Sequence, residues 1–196
     1  VLRSSADSTD PQTTDFNFQD VKFTPRFGTG DQTKIPGIES SVSTTSVGTT
    51  VTASTPVTRQ ITNTNVDAVR VSITFPQLQK ATDAGDLLGS SVQLKIAVQY
   101  NSGGFTDVID DTVTGRTADA YQRDYRVNLT GAFPADIRVT RVTADSTDSS
   151  LIDAFTWTSF GEIIDDANTY ANSAYASLRL DSMQFQSIPT RKYRIR

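Results

Sequence analysis

The sequence predicts an all-β protein, an antiparallel β-sandwich with little or no helix, on three observations. Stretches of apolar and polar alternation recur along the chain, glycine and proline turns separate them, and no segment carries a sustained helical period. The clearest stretch is residues 66–75, VDAVRVSITF. Val69, Val71, Ile73 and Phe75 fall on one face of an extended segment and Arg70, Ser72 and Thr74 on the other, because successive strand side chains point to opposite sides. β-Branched residues dominate both faces, which suits a pleated surface. Pro76 then removes a ladder donor and ends the run.

The other elements follow in chain order. Residues 1–14 are rich in Ser, Thr and Asp and read as a linker. In FNFQDVKFTPRF, residues 16–27, Phe16, Phe18, Val21, Phe23 and Phe27 lie in short extended pieces, which Gly28, Gly30 and the Ile35-Pro36-Gly37 turn interrupt. This aromatic cluster reads as a small core or a strand added to a neighbouring sheet, rather than a ligand-stacking platform. Residues 40–58 are nearly all Ser, Thr and Val, with Val42, Val47, Val51 and Val57 fitting an edge strand or two. Ile61 and the Asn63-Thr64-Asn65 turn lead into the organising strand, and the Gly85 and Gly89 segment after Pro76 has too many breakers for more than a short helical turn.

Residues 92–100 form the second strict alternation, with Val92, Leu94, Ile96, Val98 and Tyr100 inward and Gln93, Lys95 and Gln99 outward. Asn101-Ser102-Gly103-Gly104 is a hairpin signal, and FTDVIDDTV returns from it to Gly115. Residues 121–129 and 136–142 read as a further strand pair about the Gly131 and Pro134 turn, with Arg123, Arg126, Arg138 and Arg141 on exposed faces opposite aspartates. Residues 143–153 are a polar loop. Phe155 and the only tryptophan, Trp157, share one strand face as core anchors. Residues 173–180, with Ala174, Ala176, Leu178 and Leu180 alternating against Tyr175, Ser177 and Arg179, read as a closing strand. The hairpins suit an immunoglobulin or fibronectin-like sandwich without a disulfide, with a closed barrel as the alternative. The domain reading is residues 1–60 as a linker with extended strands, open to belonging to an adjacent domain; 61–182 as the sandwich; and 183–196 as an extended exit strand.

Composition restricts the chemistry. The 196 residues are 36% hydrophobic and 20% charged, enough for one sizeable core. A net charge of −4 argues against nucleic acid as a partner, since phosphate binding needs a clustered basic face. The acids are nearly all Asp, with Glu only at Glu39 and Glu162, a bias toward turns and caps. The absence of Cys and His excludes thiol nucleophiles, disulfides and histidine-dependent triads and zinc sites within these residues. No run is long enough to span a membrane, and a start without a signal-peptide core or initiator Met reads as a segment of a longer polypeptide.

Paired carboxylates are the catalytic option left. Asp110-Asp111 and Asp165-Asp166 are adjacent in sequence, so the members of each pair point to opposite faces and do not share a substrate. The Asp-rich stretches 83–86 and 145–153 lack the register of a calcium loop and read as loop caps. The glycines of Gly28-Thr29-Gly30 and Gly103-Gly104 do not open helices, so turns explain them better than a phosphate cradle. No catalytic, cofactor-binding or metal-ligating residue is therefore assigned, and no cofactor.

Several stretches in order resemble the central tail-tip, or host-specificity and tip attachment, protein J family of lambda-like long-tailed bacteriophages. They are RFGTGDQTKIPGI, TPVTRQITNTNVDAVRVSITFPQLQ, GSSVQLKIAVQYNSGGF, GRTADAYQRDYRVNL, IRVTRVTADS, TSFGEIID and SAYASLRLDSMQFQSIPTRKYRIR, covering residue 20 or so to the end. The resemblance implies a non-enzymatic virion structural role in the tail tip, of phage or prophage origin. It implies a β-domain inserted in or following the hub part, with IPTRKYRIR leading back into the parent chain. It also implies a homotrimer in the assembled tip, contacts with other tail proteins, and a host receptor engaged through regions outside this segment. Phe16, Phe18 and Phe23 are then expected to pack on a neighbouring domain. The alternative is a carbohydrate-binding or adhesin module that engages sugar through Tyr100, Phe105 or Tyr121.

Overall fold

The computed structural model describes residues 22–179. Among these residues there is no helix, and thirteen strands are present: β1 (Lys22–Phe27), β2 (Glu39–Thr50), β3 (Val57–Ile61), β4 (Ala68–Phe75), β5 (Gln79–Ala81), β6 (Leu87–Leu88), β7 (Ser90–Tyr100), β8 (Thr106–Gly115), β9 (Tyr121–Asn128), β10 (Ala135–Arg141), β11 (Leu151–Ile152), β12 (Thr156–Asp165) and β13 (Ala174–Arg179). They fall into two compact units. Glu39–Asp165 form one, and the described residues before Glu39 and after Asp165 belong to the other.

The Glu39–Asp165 unit is an antiparallel β-sandwich. One sheet has the order β2-β12-β4-β9 and the other β3-β10-β7-β8, while β11-β5-β6 make a small third sheet. The alternation read from the sequence sets its core: Val69, Val71, Ile73 and Phe75 of β4 meet Val92, Leu94, Ile96 and Val98 of β7 in one apolar cluster that both sheets share. Burying a side chain of this kind stabilises by about 1.5–3 kcal/mol. Phe155 and Trp157 are fully buried in it, as their shared face predicts, and Phe155 lies 5.6 Å from Phe75, ring centre to ring centre. Strands β2 and β3, drawn from the Ser, Thr and Val-rich stretch, are edge strands, one in each sheet, with Val51 and Val57 buried.

A bulge sets the inward faces of β12. Its register shifts between Trp157 and Ser159, so that Trp157 faces Ile73 and Ser159 faces Ser72, with Thr158 as the extra residue. The bulge turns Phe160 inward in place of Ser159. The Trp157 indole N–H donates to the Ser159 carbonyl at 2.9 Å, and the Thr158 hydroxyl bonds that of Thr74 at 2.7 Å. A second bulge, between Ile96 and Ala97, lies in the predicted β7–β8 hairpin. In its turn Asn101, Ser102 and Gly104 take positive φ, but Gly103 does not.

The structure corrects several sequence expectations. Residues 121–129 and 136–142 do not pair with each other: β9 pairs with β4, and β10 lies between β3 and β7 in the opposite sheet. The Gly131 segment between them crosses from sheet to sheet, passing so close to the Tyr100 ring that a Cβ on Gly131 would overlap it. Residues 173–180 do not close the sandwich, because β13 pairs with β1 in the other unit and leaves Ala174 and Ala176 exposed. The stretch after Pro76 holds the short strands β5 and β6 rather than a helical turn, and the polar loop 143–153 contains β11. Alternation identifies a strand's faces but not its partner, and two- or three-residue strands are too short to show a period. The positions Phe16, Phe18, Val21 and Leu180, and the stretch 183–196, lie outside the described residues.

The second unit contains the antiparallel ribbon β1–β13. Gln32, nearly buried, organises its loops: its amide group donates to the carbonyls of Thr169, Tyr170 and Ser173 at 3.0, 2.6 and 2.9 Å, and its oxygen accepts the Gly28 N–H at 3.0 Å. Gly28 has a φ of +84° against the backbone of residues 172–174, so a side chain there is strained twice over.

Phe155→Ala is expected to cost about 3–5 kcal/mol of stability, whereas Phe27→Ala, at an exposed position, should stay within about 0.5 kcal/mol. Urea unfolding followed by the fluorescence of Trp157, the single tryptophan and a residue of the sandwich, measures the first, and far-ultraviolet circular dichroism, which sees both units, the second.

Candidate functional site

Polar side chains in the sandwich collect at four places, where most find partners within the domain, the buried Arg138 Nε and Asp165 Oδ1 being without a hydrogen bond. The first centres on Arg141. β10 alternates inward through Ala135, Ile137 and Val139, and the same parity carries Arg141 inward, so its guanidinium is buried where the sequence reading puts it on an exposed face. It survives there because every direction of its fork has a partner. Nε donates to the Thr143 carbonyl at 2.9 Å, Nη1 to the Asp153 carbonyl at 2.7 Å, and Nη2 pairs with the buried Asp153 carboxylate at 2.8 Å. Asp145 stands 3.1 Å from Nε, and the Phe155 ring lies 5.8 Å below. Arg141 borders an open cleft of about 280 Å³ whose lining includes Val51, Leu151 and Ile152, and its donors are spent on the loop.

The second cluster lies in the β2-β12-β4-β9 sheet. Arg70 and Arg126 are direct cross-strand partners, a destabilising juxtaposition by itself. Glu39 and Asp165, partners across β2 and β12, resolve it: Arg70 bonds Glu39 at 2.5 Å and Arg126 bonds Asp165 at 2.6 Å while standing 3.5 Å from Glu39. A third joins the two sheets at one edge, where the Tyr125 hydroxyl of β9 donates to Asp111 of β8 at 2.7 Å. Burial, followed by the neighbouring Asp111 carboxylate, pushes the Tyr125 phenol well above its ordinary pKa. Arg123 pairs with the same carboxylate at 3.2 Å.

The fourth runs along the outer face of β3-β10-β7-β8. Lys95 stands 2.8 Å from Asp107 and 3.6 Å from Asp110, and the Asp107 hydrogen bond and charge raise its pKa. Gln60 and Gln99 both donate to Asp136 at 3.0 Å, and the Arg138 guanidinium sits 4.0 Å over the Phe105 ring.

The residues singled out from sequence are dispersed among these clusters. Asp110 serves Lys95 and Asp111 serves Tyr125, while Asp165 serves Arg126 and Asp166 accepts the hydroxyl of Tyr170 at 2.6 Å, so neither adjacent pair converges. In the stretch 145–153, Asp148 caps Ser150 and Asp145 accepts the Ala53 N–H at 3.0 Å. In the stretch 83–86, Asp86 is held through its own N–H by the Thr82 hydroxyl. Among the described residues no three acidic side chains gather as a metal site. The three candidate sugar-stacking rings are each half-buried and engaged. The Tyr100 hydroxyl accepts the Thr130 N–H at 3.0 Å, Phe105 lies under Arg138, and Tyr121 stacks on Phe75 with centroids 6.2 Å apart. Among the described residues no helix is long and apolar enough to cross a membrane.

Two four-stranded antiparallel sheets sharing one core define a fibronectin type III-like module. Residues 41–166 match the family model described as "Tip attachment protein J, FNIII-A domain", and the chain belongs to that tip attachment protein J family. It is 35% identical over 175 residues to the tip attachment protein J of Escherichia phage SECphi4, covering 88% of this chain and 15% of that protein. To the protein of the same name from Escherichia phage SECphi27 it is 31% identical over 170 residues, covering 86% and 14%. The chain thus spans about one seventh of the length of these relatives, both of them virion tail components by name. A solved structure titled "CBM4 structure and function" aligns over 91% of this chain and 94% of that one at 13% identity, with a TM-score of 0.29, and adds nothing to the assignment.

Asp153→Ala leaves a buried guanidinium short of its counter-charge and is expected to destabilise by about 3–5 kcal/mol, whereas the double change Arg141→Met with Asp153→Leu should recover most of the loss; urea midpoints of the three proteins test this. The Ser150 hydroxyl and N–H, with Lys80 behind them, hold the Asp148 carboxyl below the ordinary aspartate range. A depressed native pKa gives a contribution that is full above the unfolded value of about 3.9 and fades as pH falls through the native value. Ser150→Ala should move the Asp148 midpoint upward in a carboxyl-detected NMR titration, and an unchanged midpoint would refute the assignment.

Proposed function

We propose that this chain is a non-enzymatic structural domain of a tail-tip hub or fibre protein, contributing to tail assembly and host attachment. The observation that carries the reading is the coincidence of the family match, residues 41–166, with the compact sandwich Glu39–Asp165. The relatives are named as attachment proteins. The polar groups of the sandwich support a load-carrying spacer, since they are spent on one another rather than converging on a substrate. In this reading the protein is made in the host cytoplasm, assembles as a homotrimer with other tail proteins, and reaches the receptor through regions outside this segment.

The paired ends of the sandwich make the test direct. Glu39 and Asp165 are cross-strand neighbours, so residues 39–165 can be replaced by a short glycine-serine bridge in the whole gene. The expected outcome is a fall of at least about a hundredfold in plaque titre, with tails missing their tip or failing to adsorb. Full infectivity of the deleted phage, or turnover of a bacterial surface polysaccharide by the purified chain, would overturn the proposal.

A further inference from the structure

The ribbon β1–β13 has one entirely apolar face. Its register pairs Phe23 with Leu178, Pro25 with Ala176 and Phe27 with Ala174, and directly opposed residues of an antiparallel pair share a face. The intervening pairs, Lys22 with Arg179, Thr24 with Ser177 and Arg26 with Tyr175, put every polar side chain on the other face. That polar face is already covered in part, because Arg26 donates to the carbonyls of Thr33 and Lys34 at 2.6 and 3.0 Å. The apolar face is largely exposed: Phe27 is 77% and Phe23 38% exposed, Ala174 and Ala176 are exposed as well, and Pro25 and Leu178 are half-buried. Among the described residues each strand of the ribbon pairs only with the other, and a two-stranded ribbon without packing on one face is marginal in water.

We propose that this face is a docking surface for an apolar sheet face of another domain of the same tail protein. The argument for a tethered partner is area. Six residues on each of two strands span roughly 20 by 10 Å, or about 200 Å², against about 800 Å² on each partner in a stable bimolecular interface. So small a patch does not hold a free second copy, but it suffices when the partner is joined through the backbone and its effective concentration is in the millimolar range. The relatives are about seven times as long as the matched region, which leaves room for such a partner. This inference rests on the reading of the chain as part of a tail protein.

The chain has no cysteine, so a single thiol reports the face cleanly. Ala176→Cys places it at the centre of the apolar face, and Ser43→Cys, exposed on β2, is the control. Maleimide labelling of Ala176→Cys should be at least about tenfold slower in the whole tail protein, its other cysteines replaced, than in the 196-residue chain, with Ser43→Cys equally fast in both. Equal rates for Ala176→Cys in the two proteins would overturn the proposal. Slow labelling already present in the short chain would overturn it too, pointing to a second copy if protection rises with concentration and to the chain's own termini if it does not. Incorporation of the whole protein into tails is scored separately, so protection without incorporation retains the docking surface and rejects the tail-tip function.

Discussion

The sandwich depends on keeping two apolar faces in phase across a bulged strand. β12 lies between β2 and β4 and supplies Trp157 and Phe160 to the core. An unbroken two-residue period cannot send both inward, since they are an odd number of positions apart. The extra residue Thr158 resolves the parity, and the Trp157 indole N–H donates to the Ser159 carbonyl just beyond it. One side chain thus fills the core with its rings and stabilises the irregularity with its polar edge, which is how a buried tryptophan avoids an unpaired donor.

The same accounting of buried polar groups explains why charge inside this fold is structural. Arg141 reaches the interior because β10 keeps its phase to the end, and the loop after it folds back to supply carbonyls and the Asp153 carboxylate. Arg70 and Arg126 would repel across β4 and β9 were Glu39 and Asp165 not set between them. The partners of Arg70 and Arg126 come from distant parts of the chain, so those ion pairs specify which strand lies where as much as they stabilise it, whereas the partners of Arg141 fix the loop that follows its own strand.

The fold was legible in the sequence wherever a strand is long and strictly alternating. β4 and β7 follow the pattern closely, although Ser72 on the outward side of β4 is buried and Tyr100 at the end of β7 only half so, and the edge position of β2 and β3 follows from their Ser, Thr and Val content. The partner of a strand was less legible. β9 and β10 are neighbours in sequence with a glycine and proline turn between them, and only the strand pairing reveals that this turn changes sheets. Arg141 left a signal that could have been read, an arginine in phase with Ile137 and Val139. Gln32 left none, because its role depends on carbonyls more than a hundred residues away.

The position of the sandwich within the chain has a physical reason. A domain can be placed inside another only if its ends are close together, and here Glu39 and Asp165 face each other across β2 and β12. In the flanking unit, Ile38 accepts the Asp166 N–H at 2.8 Å, so the chain that departs and the chain that returns are joined there as well. The two strands of the ribbon then lie antiparallel because the chain comes back to where it left. Their apolar and polar faces segregate although the strands are separated by the whole sandwich in sequence, so it is the register set where the chain returns, and not nearness in sequence, that puts Phe23 beside Leu178 and Phe27 beside Ala174.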